Sequence, residues 1–166
     1  MINLRAFNIG DVSRLVELAN NKNVSRYLTG TFPFPYSRED AEWWINTGSK
    51  QGVNKVIEYE NHLVGSVGYS QKSADSLTTA IIGYWVGEPY WGLGIASAAL
   101  KTLTTEVFAT TNIVRLEAGI YSPNIGSMRV AENAGYVREA ILQKAIYKDG
   151  EYYDEYIYAK IAADLA

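Results

Sequence analysis

The chain has 166 residues, 48% of them apolar, which suffices for one compact domain with a sizeable core and leaves no room for a second full domain. Fifteen basic against eighteen acidic side chains give a net charge of -3, so the chain as a whole offers nucleic acid no electrostatic footprint. With no cysteine and a single histidine, His62, disulfides, thiolate metal sites and a cysteine nucleophile are excluded, and no transition-metal site is expected.

Residues 2–7 alternate as a first strand, and Asp11 is placed to cap a helix carrying Val12, Leu15, Val16 and Ala19 on one face. A short helix is expected over 22–29. The segment Thr31-Phe32-Pro33-Phe34-Pro35-Tyr36 cannot be helical, because each proline restricts its predecessor to extended geometry, and it reads as a rigid aromatic loop. Ser37 opens another helix, with Glu39 and Asp40 in its first turn matching the dipole and Trp43, Trp44 and Ile45 on its apolar face. Residues 53–60 and 63–71 form a hairpin with His62 as a solvated turn residue, and 78–86 a fourth strand. A helix over 94–109 repeats Ile95, Ala99, Leu103 and Val107; strand 113–121 follows; and a helix over 124–134 stops at Gly135. Strands 136–147 and 152–161 flank the hairpin connection Lys148-Asp149-Gly150-Glu151. The longer elements thus run β-α-α-β-β-β-α-β-α-β-β, which predicts an α/β sandwich occupying residues 1–166 as one domain. No run approaches a membrane span, and a cytoplasmic protein without membrane or nucleic-acid partners is expected.

The most informative stretch is 83–97, Gly-Tyr-Trp-Val-Gly-Glu-Pro-Tyr-Trp-Gly-Leu-Gly-Ile-Ala-Ser, which joins a β-rich run to a helix through small residues. The first amides of a helix lack internal partners and carry the positive end of its dipole, so such a turn receives phosphate. Gly92, Gly94 and Ala96 let a pyrophosphate approach the main chain. No Gly-Lys-Ser/Thr follows, which removes a P-loop, and the full G-x-G-x-x-G spacing of a dinucleotide fold is absent.

What remains, Trp91-Gly92-Leu93-Gly94-Ile95-Ala96, resembles the coenzyme A pyrophosphate loop of the Gcn5-related N-acetyltransferase (GNAT) superfamily. A second block, Tyr121-Ser122-Pro123-Asn124-Ile125-Gly126-Ser127-Met128-Arg129-Val130-Ala131-Glu132-Asn133-Ala134-Gly135-Tyr136, resembles the N-x-x-S-x-R-V-x-E-x-x-G-F/Y pattern of its ribosomal-protein N-terminal (RimJ/RimL-like) branch. Two motifs in this order are far more specific than either alone. The resemblance implies a GNAT-type αβα sandwich on a mixed, mostly antiparallel sheet of about seven strands, with strands 4 and 5 splayed. It also implies acetyl-CoA as cofactor, with Trp91 to Ser97 holding its pyrophosphate and the main chain of Tyr84, Trp85 and Val86 holding the pantetheine arm and polarising the thioester.

By the same resemblance, Asn124 anchors pantetheine or an ordered water, besides being placed to cap its helix. Some relatives carry a tyrosine at the position of Ala131 that reprotonates the departing thiolate. Alanine cannot do this, and Ser127 is the replacement the branch pattern offers. An ammonium acceptor must lose a proton before it attacks. Glu117 matches a base of some relatives, yet Arg115 shares its strand face two residues away, so base and plain ion-pair partner both stay open. Glu88 beside the phosphate turn reads as a solvated loop residue, and Tyr147, Tyr152, Tyr153, Tyr156 and Tyr158 in the final hairpin read mostly as packing. The opening helices and aromatic loop, where the superfamily varies with its acceptor, supply Arg26, Tyr27, Phe34, Tyr36 and Trp43 as acceptor-binding candidates, with core packing as the alternative and at least one of Trp43 and Trp44 expected in the core.

The function these readings imply is direct acetyl transfer to a primary amine, without a covalent acyl-enzyme. A peptide or protein α-amine is favoured over a polyamine or antibiotic, and a non-catalytic acyl-CoA sensor is the rival class. Monomer and homodimer both remain open, with the aromatic hairpin as a possible contact.

Overall fold

Seven segments of alternating or continuous apolar character build one sheet in the computed structural model, which describes residues 1–163. The strands are β1 (Ile2–Arg5), β2 (Val53–Tyr59), β3 (His62–Gln71), β4 (Thr79–Val86), β5 (Arg115–Tyr121), β6 (Val137–Lys148) and β7 (Glu151–Ile161), in the spatial order β1-β2-β3-β4-β5-β7-β6. Every neighbouring pair is antiparallel except β4 and β5. Parallel neighbours need a crossover, and α4 (Ile95–Thr110) provides it. The remaining helices are α1 (Val12–Ala19), α2 (Lys22–Ser25), α3 (Arg38–Asn46) and α5 (Ile125–Asn133).

Alternation sorts the two central strands into two faces. Ala80, Ile82 and Val86 of β4 and Leu116, Ala118 and Ile120 of β5 join Leu100 and Leu103 of α4 and Ala131 of α5 in the main core. On the other face Trp85 packs against a second cluster made by Val12, Leu15, Ala41 and Ile45 of α1 and α3. The result is the three-layer α/β/α sandwich that the resemblance implied.

Parallel pairing is short. Thr79, Ala80 and Ile81 face Arg115, Leu116 and Glu117, and from Ile82 and Ala118 onward the two strands have no ladder between them. Each stays paired on its outer side, β4 to β3 as far as Val86 and β5 to β7 as far as Tyr121.

Asp11 does not cap α1. Asn8 caps a single 3-10 turn, Ile9–Asp11, that runs directly into α1, and the Asp11 carboxylate accepts the Asn8 N–H at 2.9 Å instead. Arg5 donates to it through both terminal nitrogens, at 2.8 and 2.9 Å. Burial pushes the Asp11 pKa up, but the bonds from Arg5 and Asn8 outweigh that and hold the carboxyl below its usual range. The expected helix over 22–29 is also shorter. It ends at Ser25, and Lys148 Nζ donates at 2.6 Å to each of the carbonyls of Ser25 and Leu28. The Ser25 carbonyl also accepts the Leu28 N–H at 3.1 Å, so the ammonium clamps the turn that follows α2. Trp44 packs edge-on against Phe7 at 6.0 Å, while Trp43 is 54% exposed.

Asp11→Asn should lower unfolding free energy by about 2 kcal/mol at neutral pH, since a charge-assisted, buried bond set is lost. Because the folded pKa is depressed, the wild-type advantage is present above the unfolded carboxylate pKa and disappears as pH falls through the folded value. Urea melts of both proteins at neutral and acid pH should converge at the acid end.

Candidate active site

Both splayed strands point their C-terminal ends toward helix N-termini, β4 through residues 87–94 into α4 and β5 through 122–124 into α5. The gap therefore opens onto two sets of helix-start amides, the usual location for a ligand at the carboxyl ends of parallel strands. Gly94 is the N-cap of α4 at φ 74°, with no side chain capping the first amides and no acid in the first turn. Gly92 has φ 76°, and a Cβ at either glycine would meet nothing within 4 Å. Left-handed backbone excludes most side chains at both positions, and the space beside them is open. No side chain competes for the first amides of α4, which are available to an anion. Val86 is buried, and its carbonyl accepts the Trp91 indole N–H at 2.6 Å, which fastens the turn to the end of β4. Ile95 is a core residue, so main chain is all it can offer.

Glu88 is not free in solvent: its carboxylate accepts from the side-chain amides of Asn21 at 2.6 Å and Asn23 at 2.9 Å. Its charge is committed to the start of α2.

Asn124 caps α5, its side-chain oxygen accepting the Ser127 N–H at 3.2 Å. The Ser127 hydroxyl donates to the Tyr84 phenol at 2.9 Å, and that phenol donates to the Ser127 carbonyl at 2.9 Å. A pair of side-chain bonds thus spans the gap from β4 to α5. Burial pushes the Tyr84 pKa up, so its phenol stays a proton carrier. The sequence reading gave Tyr84 a main-chain role alone and missed this phenol; its even spacing with Ile82 and Val86 was the signal that it faces α5.

A cavity of about 950 Å³ runs through the gap, within the size range of small-molecule sites. Tyr84, Trp85, Asn124 and Ser127 line it from the donor motifs, and Tyr27, Tyr36 and Trp43 from the opening helices and loop. Tyr36 is buried and Trp43 exposed, so they wall it in different ways. Arg26 and Phe34 line a separate, smaller cavity shared with Lys22 and Lys148. Two glycines of the gap, Gly83 and Gly119, and the carboxylate of Glu155 also line the large cavity, and the sequence reading passed over all three.

Glu117 is not in that wall. It sits at the last paired position of β4 and β5, with Lys72 Nζ at 2.6 Å and Arg115 Nε at 2.7 Å on its two oxygens. Burial pushes its pKa up, but the two cations prevail and hold the carboxyl below its usual range. Of the two roles open from the sequence, the ion pair with Arg115 is present, and a proton acceptor has been made weaker by it.

The fold is matched by known proteins. The model of the acetyltransferase (GNAT) domain matches residues 2–137, and the chain belongs to the GNAT acetyltransferase family. It is similar to the uncharacterized N-acetyltransferase YnaD of Bacillus subtilis, with 30% identity over 94% of this chain and 91% of that protein. Similarity to the probable N-acetyltransferase YjcK of the same organism, at 33% identity, covers 63% of this chain and spans 58% of that protein's length. Among solved structures, RimL, the ribosomal L7/L12 alpha-N-protein acetyltransferase in complex with coenzyme A, superposes with a TM-score of 0.84 at 25% identity, covering 96% of this chain and 93% of that one. The likeness to the RimJ/RimL-like branch read from the second motif is thereby matched in three dimensions, and acetyl-CoA is the acyl donor of the family.

Replacing Gly94 with leucine should weaken coenzyme A binding at least about tenfold, since one charge-assisted amide bond is worth about 1.5–3 kcal/mol. Calorimetry on a variant shown by circular dichroism to be folded checks this, and unchanged affinity would remove the phosphate assignment.

Proposed function

We propose that the protein transfers acetyl from acetyl-CoA directly to a primary amine, with the α-amine of a peptide or protein as the favoured acceptor. One observation carries this reading: a single cavity connects the donor-side pair Ser127–Tyr84 to an aromatic wall from the opening helices, passing through the gap between β4 and β5. Donor and acceptor can meet there in one complex, and no cysteine is present to carry the acyl group between them. The similarity to RimL, named as an α-N-protein acetyltransferase, favours the peptide amine.

The residues divide the work by chemistry. Amides of Ile95, Ala96 and Ser97 with Gly92 and Gly94 hold the diphosphate. Main chain of β4 beyond Ile82 lines the gap and orients the arm, and an amide there faces the charge that develops on the reacting carbonyl, a contribution of about 3 kcal/mol where geometry is right. Bound in this way, acetyl-CoA supplies an activated acyl group and a sulfur leaving group. Ser127 Oγ then gives its proton to the departing sulfur, with Asn124 fixing the start of α5 and Tyr84 fixing the serine rotamer.

Ser127→Ala should lower kcat by about a hundredfold while leaving the acceptor KM little changed, since general acid assistance is lost and binding is not. A thiol-release assay on N-terminal peptides and small amines measures this and ranks the acceptors. Coenzyme A binding without turnover on any amine would overturn the reading in favour of a sensor.

A further inference from the structure

Glu155 lies in register between Tyr121 of β5 and Leu142 of β6, and its carboxylate folds over Gly119 so closely that a Cβ there would collide with Oε1. Gly119 belongs to the part of β5 that has left β4, so the carboxylate overhangs the gap and lines the cavity. Glu155 is half-buried, and among the described residues its carboxylate makes no ion pair or hydrogen bond. The other acid in the wall, Asp40, is committed: it accepts the N–H and the hydroxyl of Ser37 at 2.8 and 2.9 Å in the cap of α3. Among the described residues no Lys, Arg or His lines the cavity. Its other titratable groups are tyrosines: Tyr121 pairs with Glu155 from β5, Tyr27 of the opening segment lines the same cavity and packs edge-on against Tyr153, and β6 presents uncharged Leu142. Arg26 stands behind Tyr27, its guanidinium 5.1 Å from the ring centre.

A lone uncommitted carboxylate among aromatic rings is a receptor for a cation. Strand alternation adds a direction: Glu155 shares a sheet face with Tyr121 and Trp85, whereas Ser127 and Tyr84 lie toward α5 on the other. An amine entering along the aromatic wall meets Glu155 on the side of the gap opposite the proton donor.

We propose that Glu155 binds the ammonium group of the acceptor and takes its first proton, making the site selective for amines that carry no adjacent carboxylate. This rests on the acetyl-transfer reading above. Glu155 accepts the proton and releases it to solvent. The freed nitrogen lone pair forms the C–N bond to the acyl carbon, and the C–S bond breaks with its electron pair on sulfur. Ser127 Oγ protonates the sulfur and is reprotonated by the second proton leaving nitrogen, so the products are amide, thiol and one solvent proton. A free amino acid would bring its own carboxylate beside Glu155 with no cation in the wall to receive it.

The test compares wild type, Glu155→Gln and Gly119→Ala with an alanine-initiated peptide amide and free alanine, by kinetics from pH 6 to 9 and by calorimetric binding of the peptide without acetyl-CoA. Gly119→Ala is independent of the isosteric change, because its methyl displaces only the flexible end of Glu155. Wild type should prefer the peptide over free alanine. Glu155→Gln should lower kcat/KM about a hundredfold at the acid end, with the deficit narrowing as the α-amine, of pKa about 8, deprotonates by itself. Peptide affinity should fall about tenfold in both variants. Unchanged affinity and unchanged pH profile in folded variants would overturn the Glu155 assignment while leaving acetyl transfer intact. Wild-type inactivity on every amine would overturn the transfer reading, and the binding comparison would still decide the role of Glu155.

Discussion

Where β4 and β5 part, main-chain groups of two central strands lose the ladder partners that their outer edges keep. Unpaired backbone in a sheet interior is costly, so the divergence has to be enforced from both sides. On β4, the Trp91 indole occupies the Val86 carbonyl and Gly87 N–H bonds to the Val64 carbonyl at 2.8 Å, holding the strand end against β3. On β5, the Ser122 N–H bonds to the Asp154 carbonyl at 2.9 Å and keeps that strand end on β7. Gly83 and Gly119 then leave one position on each strand of the opening without a side chain. The result is a slot that offers unpaired peptide groups between its side-chain walls, suited to a ligand that itself carries amides.

The closed end of the slot is just as deliberate. Lys72, Arg115 and Glu117 meet at the last paired residues, and Arg115 extends the set to Glu139 on β6 at 3.1 Å. Four charges from three segments, β5, β6 and the residue after β3, therefore converge at the point where pairing stops. A carboxylate so engaged is well suited to fix the position of two strands and poorly suited to shuttle a proton, which moves acid-base work toward the groups inside the cavity.

Much of this was legible in the residues because it is local. The strand-glycine-helix transition, the Asn124 cap and the Gly135 stop depend on neighbours within one turn, and Gly135 does adopt φ 85° with the Tyr136 N–H closing on the Ala131 carbonyl at 3.0 Å. What escaped depends on competition for one side chain or on partners remote in sequence. Asp11 looks like a cap until Arg5 and Asn8 compete for its oxygens. Glu117 has Arg115 in view, but Lys72 reaches it only through the curvature of β3 and the segment that follows. Glu155, between tyrosines in a hairpin, looks like surface alternation, and only the departure of β5 from β4 turns that surface into an interior wall. Glu88 likewise became a tether through two asparagines of the opening segment.

The ammonium of Lys148, at the tip of the C-terminal ribbon, holds two carbonyls that lie 123 and 120 residues earlier. The opening segment that lines the large cavity and the ribbon that carries Glu155 are thereby joined by one side chain. Burial lowers the proton affinity of that amine, yet both carbonyls require it to keep donors. A relative that lengthened or shortened the early aromatic segment would have to re-cut the late ribbon in step, so the two would change as a pair although more than a hundred residues separate them.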